Sequence, residues 1–162
     1  MSEAADQAWI ALGGNIGPVA ETLRAARLAL RSLARGPLVI SPLVETDPWG
    51  RLDQPVFLNQ VVGLTPRLGP DETLARLLEI ERAHGRSRGE RWGPRTLDLD
   101  ILSWPGVVSA SARLTLPHPR LAERRFVLAP WAAVAPGLRV GEQTVAGLLA
   151  DCPDGGGLRW RS

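Results

Sequence analysis

Residues 96–102 read Thr-Leu-Asp-Leu-Asp-Ile-Leu, with polar and apolar side chains in alternation. Period two is the mark of a β-strand, so Asp98 and Asp100 face one side while Leu97, Leu99 and Ile101 face the other. Aspartate is a poor strand former, and two carboxylates on one face repel each other. A solvated strand face would tolerate the pair. The strongly apolar neighbours instead predict a central strand, where two charges need a compensating cation. Hard divalent cations such as Mg²⁺ take carboxylate oxygens and keep positions open for phosphate oxygens. Two such ions on one face would clamp a polyphosphate in line with an attacking oxygen.

The segment just upstream, residues 85–95, is Gly-Arg-Ser-Arg-Gly-Glu-Arg-Trp-Gly-Pro-Arg. It is either a solvated basic loop or a lid. Arginine forks match phosphate bidentately, and a basic lid beside an acidic metal site is what phosphoryl transfer requires. Further upstream, Pro70-Asp71-Glu72 opens a helix that ends before Gly85. On it Glu81 continues the apolar stripe of Leu74, Leu77 and Leu78. Its carboxylate either reaches solvent or accepts hydrogen bonds from an arginine or a bound ligand.

Residues 56–64 and 38–46 read as two more strands, the second interrupted by Pro42, which predicts an edge or a bulge. Residues 47–55 form a loop of turn formers. A helix is expected from about residue 18 to 34, after a short buried strand at 8–12 and the turn Gly13-Gly14-Asn15-Ile16-Gly17. That turn lacks the spacing of a nucleotide-binding glycine loop. Beyond the aspartates, residues 105–117 predict short strands and turns. Residues 119–134 predict partial helix interrupted by Pro130, and 143–150 a last helix. The tail after Pro153 is glycine-rich and expected to be loose. The order is β-α-β-β-α-β with a C-terminal extension. The expected fold class is therefore α+β, a ferredoxin-like βαββαβ antiparallel sheet with helices packed on it. No repeat or linker divides residues 1–162, so one domain is expected, with a core over about 8–150.

Composition narrows the chemistry. The chain contains no lysine, which excludes a Walker A loop and lysine Schiff-base chemistry. Its single cysteine, Cys152, excludes a disulfide framework and fits a cytoplasmic location. The net charge of +2 does not predict bulk nucleic-acid binding, and no apolar run is long enough for a membrane helix. Other candidates remain open when taken singly. Asn59 lies in an apolar strand on the face of Phe57 and Val61. Its amide suits structural hydrogen bonding or the edge of a heterocycle. Phe57 and Phe126 taken alone read as core. His118, between Pro117 and Pro119, is either a surface turn residue or a ring pre-oriented by its prolines.

Together these segments resemble the 6-hydroxymethyl-7,8-dihydropterin pyrophosphokinase family of folate biosynthesis. Residues 91–102 match its signature R-x-G-P-R-x-x-D-[LIV]-D followed by two aliphatics. Phe57–Val62, the E-x(3)-G-R-x-R run from Glu81, and Leu114–Trp131 match in order and spacing. The resemblance implies transfer of the pyrophosphoryl group of ATP to the pterin hydroxymethyl oxygen, giving AMP and the pterin diphosphate. It implies that Asp98 and Asp100 bind two Mg²⁺ ions. Arg86 and Arg95 would be catalytic lid arginines on the polyphosphate. Glu81, Arg88, Arg113, Thr115, His118 and Arg124 would complete the ATP site. Phe57, Asn59, Trp92, Asp98 and Phe126 would surround the pterin, with Thr46, Asp47 and Trp49 in the loop whose backbone completes that pocket. The sequence departs from the family at Gly14, where serine is usual, and at Phe57, where tyrosine is common. The expected partners are these two small molecules, with no nucleic acid, no membrane and a monomeric state. The alternatives are another Mg²⁺-dependent phospho- or nucleotidyltransferase on the same fold, and a ferredoxin-like regulatory or RNA-binding module.

Overall fold

The computed structural model describes residues 3–48, 53–85, 96–154 and 157–161. A 3₁₀ turn at Glu3–Asp6 leads into β1 (Ala8–Gly14), followed by α1 (Val19–Arg31). Then come β2 (Val39–Ile40), β3 (Leu43–Thr46), β4 (Phe57–Leu64), α2 (Pro70–Ala83) and β5 (Asp98–Ser103). A small hairpin, β6 (Ser109–Ala110) with β7 (Thr115–Leu116), precedes a 3₁₀ turn at Leu121–Glu123 and α3 (Arg125–Val134). The chain ends with β8 (Arg139–Val140), β9 (Gln143–Thr144), α4 (Val145–Ala150) and β10 (Leu158–Arg161).

The main sheet runs β10-β3-β4-β1-β5, with β2 also on β4, and its pairings are antiparallel. Strand alternation divides its side chains between two cores. Ile10, Leu12, Leu58, Val62, Leu99 and Ile101 pack with Leu23, Ala26 and Leu30 of α1 and Leu77 of α2. On the opposite face Trp9, Val61 and Leu102 pack with Val127, Leu128 and Trp131 of α3. The rings of Trp9 and Trp131 lie 6.1 Å apart. The architecture is thus α+β, with an antiparallel sheet between helices.

Several expectations need correction. β5 is not central; it lies at the edge of the described sheet, so its carboxylates keep a half-exposed face. The strand predicted at 38–46 is split at Ser41-Pro42. Pro42 cannot donate to a ladder. Ser41 maintains the connection with its N–H on Val61 O (2.9 Å) and its Oγ accepting from Val61 N (2.9 Å). β1 continues through Gly13 and Gly14, where the sequence predicts the start of a turn. α1 stops at Arg31, where the Ser32 hydroxyl donates to Ala29 O at 2.7 Å, a local bond that competes with helix continuation. Pro130 does not interrupt α3; it is buried inside the helix. α2 ends as predicted, with Gly85 at φ +76° just beyond it. The C-terminal tail is not loose throughout, because Leu158–Arg161 add an outer strand to β3.

Candidate active site

The site lies on the sheet face that α3 covers. In the cross-strand register, Asp98 of β5 pairs with Gly13 of β1, Gly13 with Asn59 of β4, and Asn59 with Val44 of β3. The neighbouring row is Asp100, Ala11 and Val61. Asp98 and Asn59 therefore face each other across a residue with no side chain. A Cβ at Gly13 would lie 2.6 Å from Asn59 Oδ1, so the Asn59 amide occupies the space that any other residue would fill. Asn59 is 7% exposed, and its Nδ2 donates to Thr46 Oγ1 at 3.3 Å. Sequence reasoning missed this role of Gly13, although a glycine inside a strand signals close approach of a neighbour. Phe57 lies two residues before Asn59 and shares its face. Phe126, in the first turn of α3, packs on the apolar cluster of that face.

Cationic and imidazole groups approach from the C-terminal side. Arg124 Nη1 is 3.8 Å from Asp100 Oδ2. The His118 backbone N–H donates to Leu102 O at 2.8 Å, which fixes the histidine against β5. His118 Nδ1 accepts from the Arg120 N–H at 3.2 Å, so the ring proton is on Nε2. Burial, reinforced by the positive charge of Arg124, lowers the His118 pKa to about 4; Asp98 opposes that shift. The imidazole is therefore neutral at pH 7 and offers an N–H donor. Arg113 and Thr115 stand in the exposed hairpin, with the Thr115 hydroxyl donating to Ser111 O at 3.2 Å.

Glu81 corrects the solvent-facing alternative. It is 3% exposed, and its Oε2 accepts the Leu99 N–H at 2.7 Å, between the two aspartates in sequence. Its carboxylate thus supports β5 from beneath. Asp47 pairs with Arg159 Nη2 at 3.2 Å. Trp49, Arg86, Arg88, Trp92 and Arg95 lie outside the described residues.

Two aspartates on one face form a hard, all-oxygen donor set, which fits Mg²⁺. Among the described residues no three His, Cys, Asp or Glu side chains gather into a metal cage. A Mg²⁺ ion characteristically takes one or two carboxylates and completes its shell from water and phosphate.

The family model for 7,8-dihydro-6-hydroxymethylpterin-pyrophosphokinase (HPPK) matches residues 9–136. The chain belongs to this family. It is 42% identical over 150 residues to the 2-amino-4-hydroxy-6-hydroxymethyldihydropteridine pyrophosphokinase of Methylorubrum extorquens, covering 89% of this chain and 92% of that one. It is 44% identical over 147 residues to the pyrophosphokinase of the same description from Pseudomonas aeruginosa, covering 90% and 91%. Among solved structures, wild-type Plasmodium falciparum HPPK-DHPS with pteroate shares the fold, with a TM-score of 0.69 at 15% identity. That match covers 89% of this chain but only 42% of the Plasmodium chain. Asp98, Asp100, Asn59, His118 and Arg124 all fall inside the matched HPPK region. No helix among the described residues is long and apolar enough to cross a membrane.

Proposed function

We propose that this HPPK chain transfers the pyrophosphoryl group of ATP to 6-hydroxymethyl-7,8-dihydropterin, forming AMP and the pterin diphosphate in folate biosynthesis. The observation that carries the reading is the row Asp98–Gly13–Asn59, which brings a carboxylate and a buried amide to one face about two strands apart, as a phosphate-and-metal end and a heterocycle end would need. Adjacent strands are spaced by about 4.8 Å, so one small molecule can reach both ends.

Asn59 reads the pterin edge, oriented by Thr46, while Phe57 and Phe126 border the ring. The neutral His118 donates Nε2–H, and Arg124 its guanidinium, to ATP phosphate oxygens. Asp98 and Asp100 would hold Mg²⁺, two ions in this reading, which would supply charge neutralisation for the phosphates. Glu81 acts through the backbone of β5. By the family resemblance, Arg86, Arg88 and Arg95 grip the polyphosphate and Trp92 closes over the pterin, with Trp49 in the loop whose backbone completes that pocket and Arg113 and Thr115 near the nucleotide.

The pterin hydroxyl oxygen attacks the β-phosphorus, the bond from that phosphorus to the α-phosphate oxygen breaks, AMP leaves, and the hydroxyl proton is released to solvent. No protein nucleophile is required, so catalysis comes from alignment and charge neutralisation. The strand order β3-β4-β1-β5 supports a ferredoxin-like core, and the whole chain is read as one domain, monomeric and cytoplasmic.

The test is a product assay. The protein is mixed with ATP, Mg²⁺ and 6-hydroxymethyl-7,8-dihydropterin, and nucleotides and pterins are followed by mass spectrometry. AMP and pterin diphosphate should form one to one and stop with EDTA. ADP or free pyrophosphate in place of AMP and the diphosphate would refute the reaction class.

A further inference from the structure

We infer that the C-terminal strand β10 positions the pterin pocket, with Arg159 as its positioning residue; this rests on the functional reading above. Leu158 is the cross-strand partner of Thr46, the residue whose hydroxyl holds the Asn59 amide at 3.3 Å. The next residue, Arg159, places Nε 2.9 Å from Glu45 Oε2 and Nη2 3.2 Å from Asp47 Oδ1. One guanidinium fork thereby ties β3 to the residue just beyond its end. A planar fork can hold two carboxylates in fixed relation, which a single ammonium cannot. The backbone runs close by as well. A Cβ on Gly157 would lie 3.4 Å from Asp47 Oδ2 and 3.7 Å from Arg159 Nη1.

The consequence follows from which part of Asp47 does what. Its backbone belongs to the loop that completes the pterin pocket, whereas its side chain is held by Arg159. Fixing the side chain fixes the direction in which the chain leaves Thr46, and so the shape of the pocket before substrate arrives. Pre-ordering of this kind lowers the entropy lost on binding. Arg161 offers a control within the same strand. Its Nη1 pairs with Glu45 Oε1 at 3.1 Å, on the same strand β3 but short of the loop. Both arginines are about half exposed, so their ion pairs weaken with salt.

The experiment compares wild type, Arg159→Ala, Arg159→Lys and Arg161→Ala in steady-state AMP formation. Exposed ion pairs have modest strength, so Arg159→Ala should raise the KM for the pterin by about two- to fivefold. The KM for ATP and kcat should stay at wild-type values. Arg159→Lys should fall between the two, and Arg161→Ala should leave all three constants unchanged. For the wild type, added NaCl should raise the KM of the uncharged pterin, and Arg159→Ala should lose that dependence. An unchanged pterin KM in Arg159→Ala, or an equal shift in Arg161→Ala, would overturn the inference and leave the functional reading standing. A wild type that makes no AMP from ATP and the pterin would overturn both. Should Arg159→Ala not fold, the wild-type salt series decides alone, and a flat pterin KM refutes the role.

Discussion

Replacing Gly13 with alanine adds one methyl group at the centre of the proposed site. The new Cβ would lie 2.6 Å from Asn59 Oδ1, whereas ordinary contact begins at about 3.4 Å. The amide must therefore retreat by about 0.8 Å, or β1 must shift away from β4. Gly13 and Asn59 are register partners, and Leu58 O lies 3.5 Å from the same Cβ, so the backbone offers little relief. Asn59 rotates instead and weakens its bond to the Thr46 hydroxyl. A misplacement near 1 Å can reduce turnover about a hundredfold, so kcat/KM for the pterin should fall about 10- to 100-fold. ATP affinity should change little, because His118 and Arg124 are held from β5 and the 3₁₀ turn rather than from β1. The assay is a pair of titrations, pterin and a non-hydrolysable ATP analogue, on a variant whose circular dichroism matches wild type. Asn59→Ala supplies the second arm of a double-mutant cycle. Once the amide is gone, Gly13→Ala should add almost nothing. Wild-type pterin binding in a folded Gly13→Ala chain would refute the argument. Equal penalties with and without Asn59 would also refute it, placing the cost in the strand rather than in the amide.

Asp98→Asn and Asp100→Asn should each reduce turnover at saturating Mg²⁺ by at least about a hundredfold while thermal unfolding stays near wild type; full activity in either variant would remove it from the metal site. Burial and Arg124 hold His118 neutral down to a pKa of about 4, below the ordinary 6.5. The unfolded chain therefore binds more protons between those values, and the histidine's contribution to stability is complete above pH 6.5 and lost as pH falls toward 4. In EDTA, wild type should lose stability over that window more steeply than His118→Gln, and parallel urea midpoints would contradict this. Gly63→Ala is the structural counterpart of Gly13→Ala: its Cβ would meet the Trp9 ring at 2.7 Å and Gln7 Oε1 at 2.9 Å. It should cost about 1–3 kcal/mol of stability, with both substrate KM values unchanged.

What was legible in the sequence was set by local rules. α2 is announced by Pro70 with two acids behind it and closed by Gly85, and the structure follows those signals. β4 and β5 are announced by their alternation, which also assigns Asp98, Asp100 and Asn59 to faces. What was not legible depended on partners distant in sequence. The apolar flanks of β5 suggested a central strand, yet the strand lies at the sheet edge, where α2 and the helical layer bury its Leu99 and Ile101 side. The glycine-rich tail offered no hint of β10, because its pairing depends on Glu45 and Asp47, more than a hundred residues earlier. Gly13 is visible in the sequence as a glycine, but its purpose is visible only once β4 places an amide beside it.

The edge position also changes why the two aspartates can be there. An edge strand leaves one row of amides without a strand partner. Among the described strands β5 pairs with β1 alone, and its Leu99 N–H finds its acceptor in the Glu81 carboxylate, supplied by α2. A buried amide left unpaired would cost about 1–3 kcal/mol, so Glu81→Ala should destabilise the chain on that scale. When ionised, the same carboxylate would add a third negative charge within one residue of both aspartates along the strand. It would deepen the demand for cations around Asp98 and Asp100, where Arg124 Nη1 lies 3.8 Å from Asp100 Oδ2. Glu81→Gln separates the two effects, since the neutral amide oxygen still accepts from Leu99 N–H while the charge is gone. Stability should stay near wild type and the Mg²⁺ concentration for half-maximal activity should rise. A Gln variant as unstable as the Ala variant, with unaltered Mg²⁺ dependence, would restrict Glu81 to its hydrogen bond.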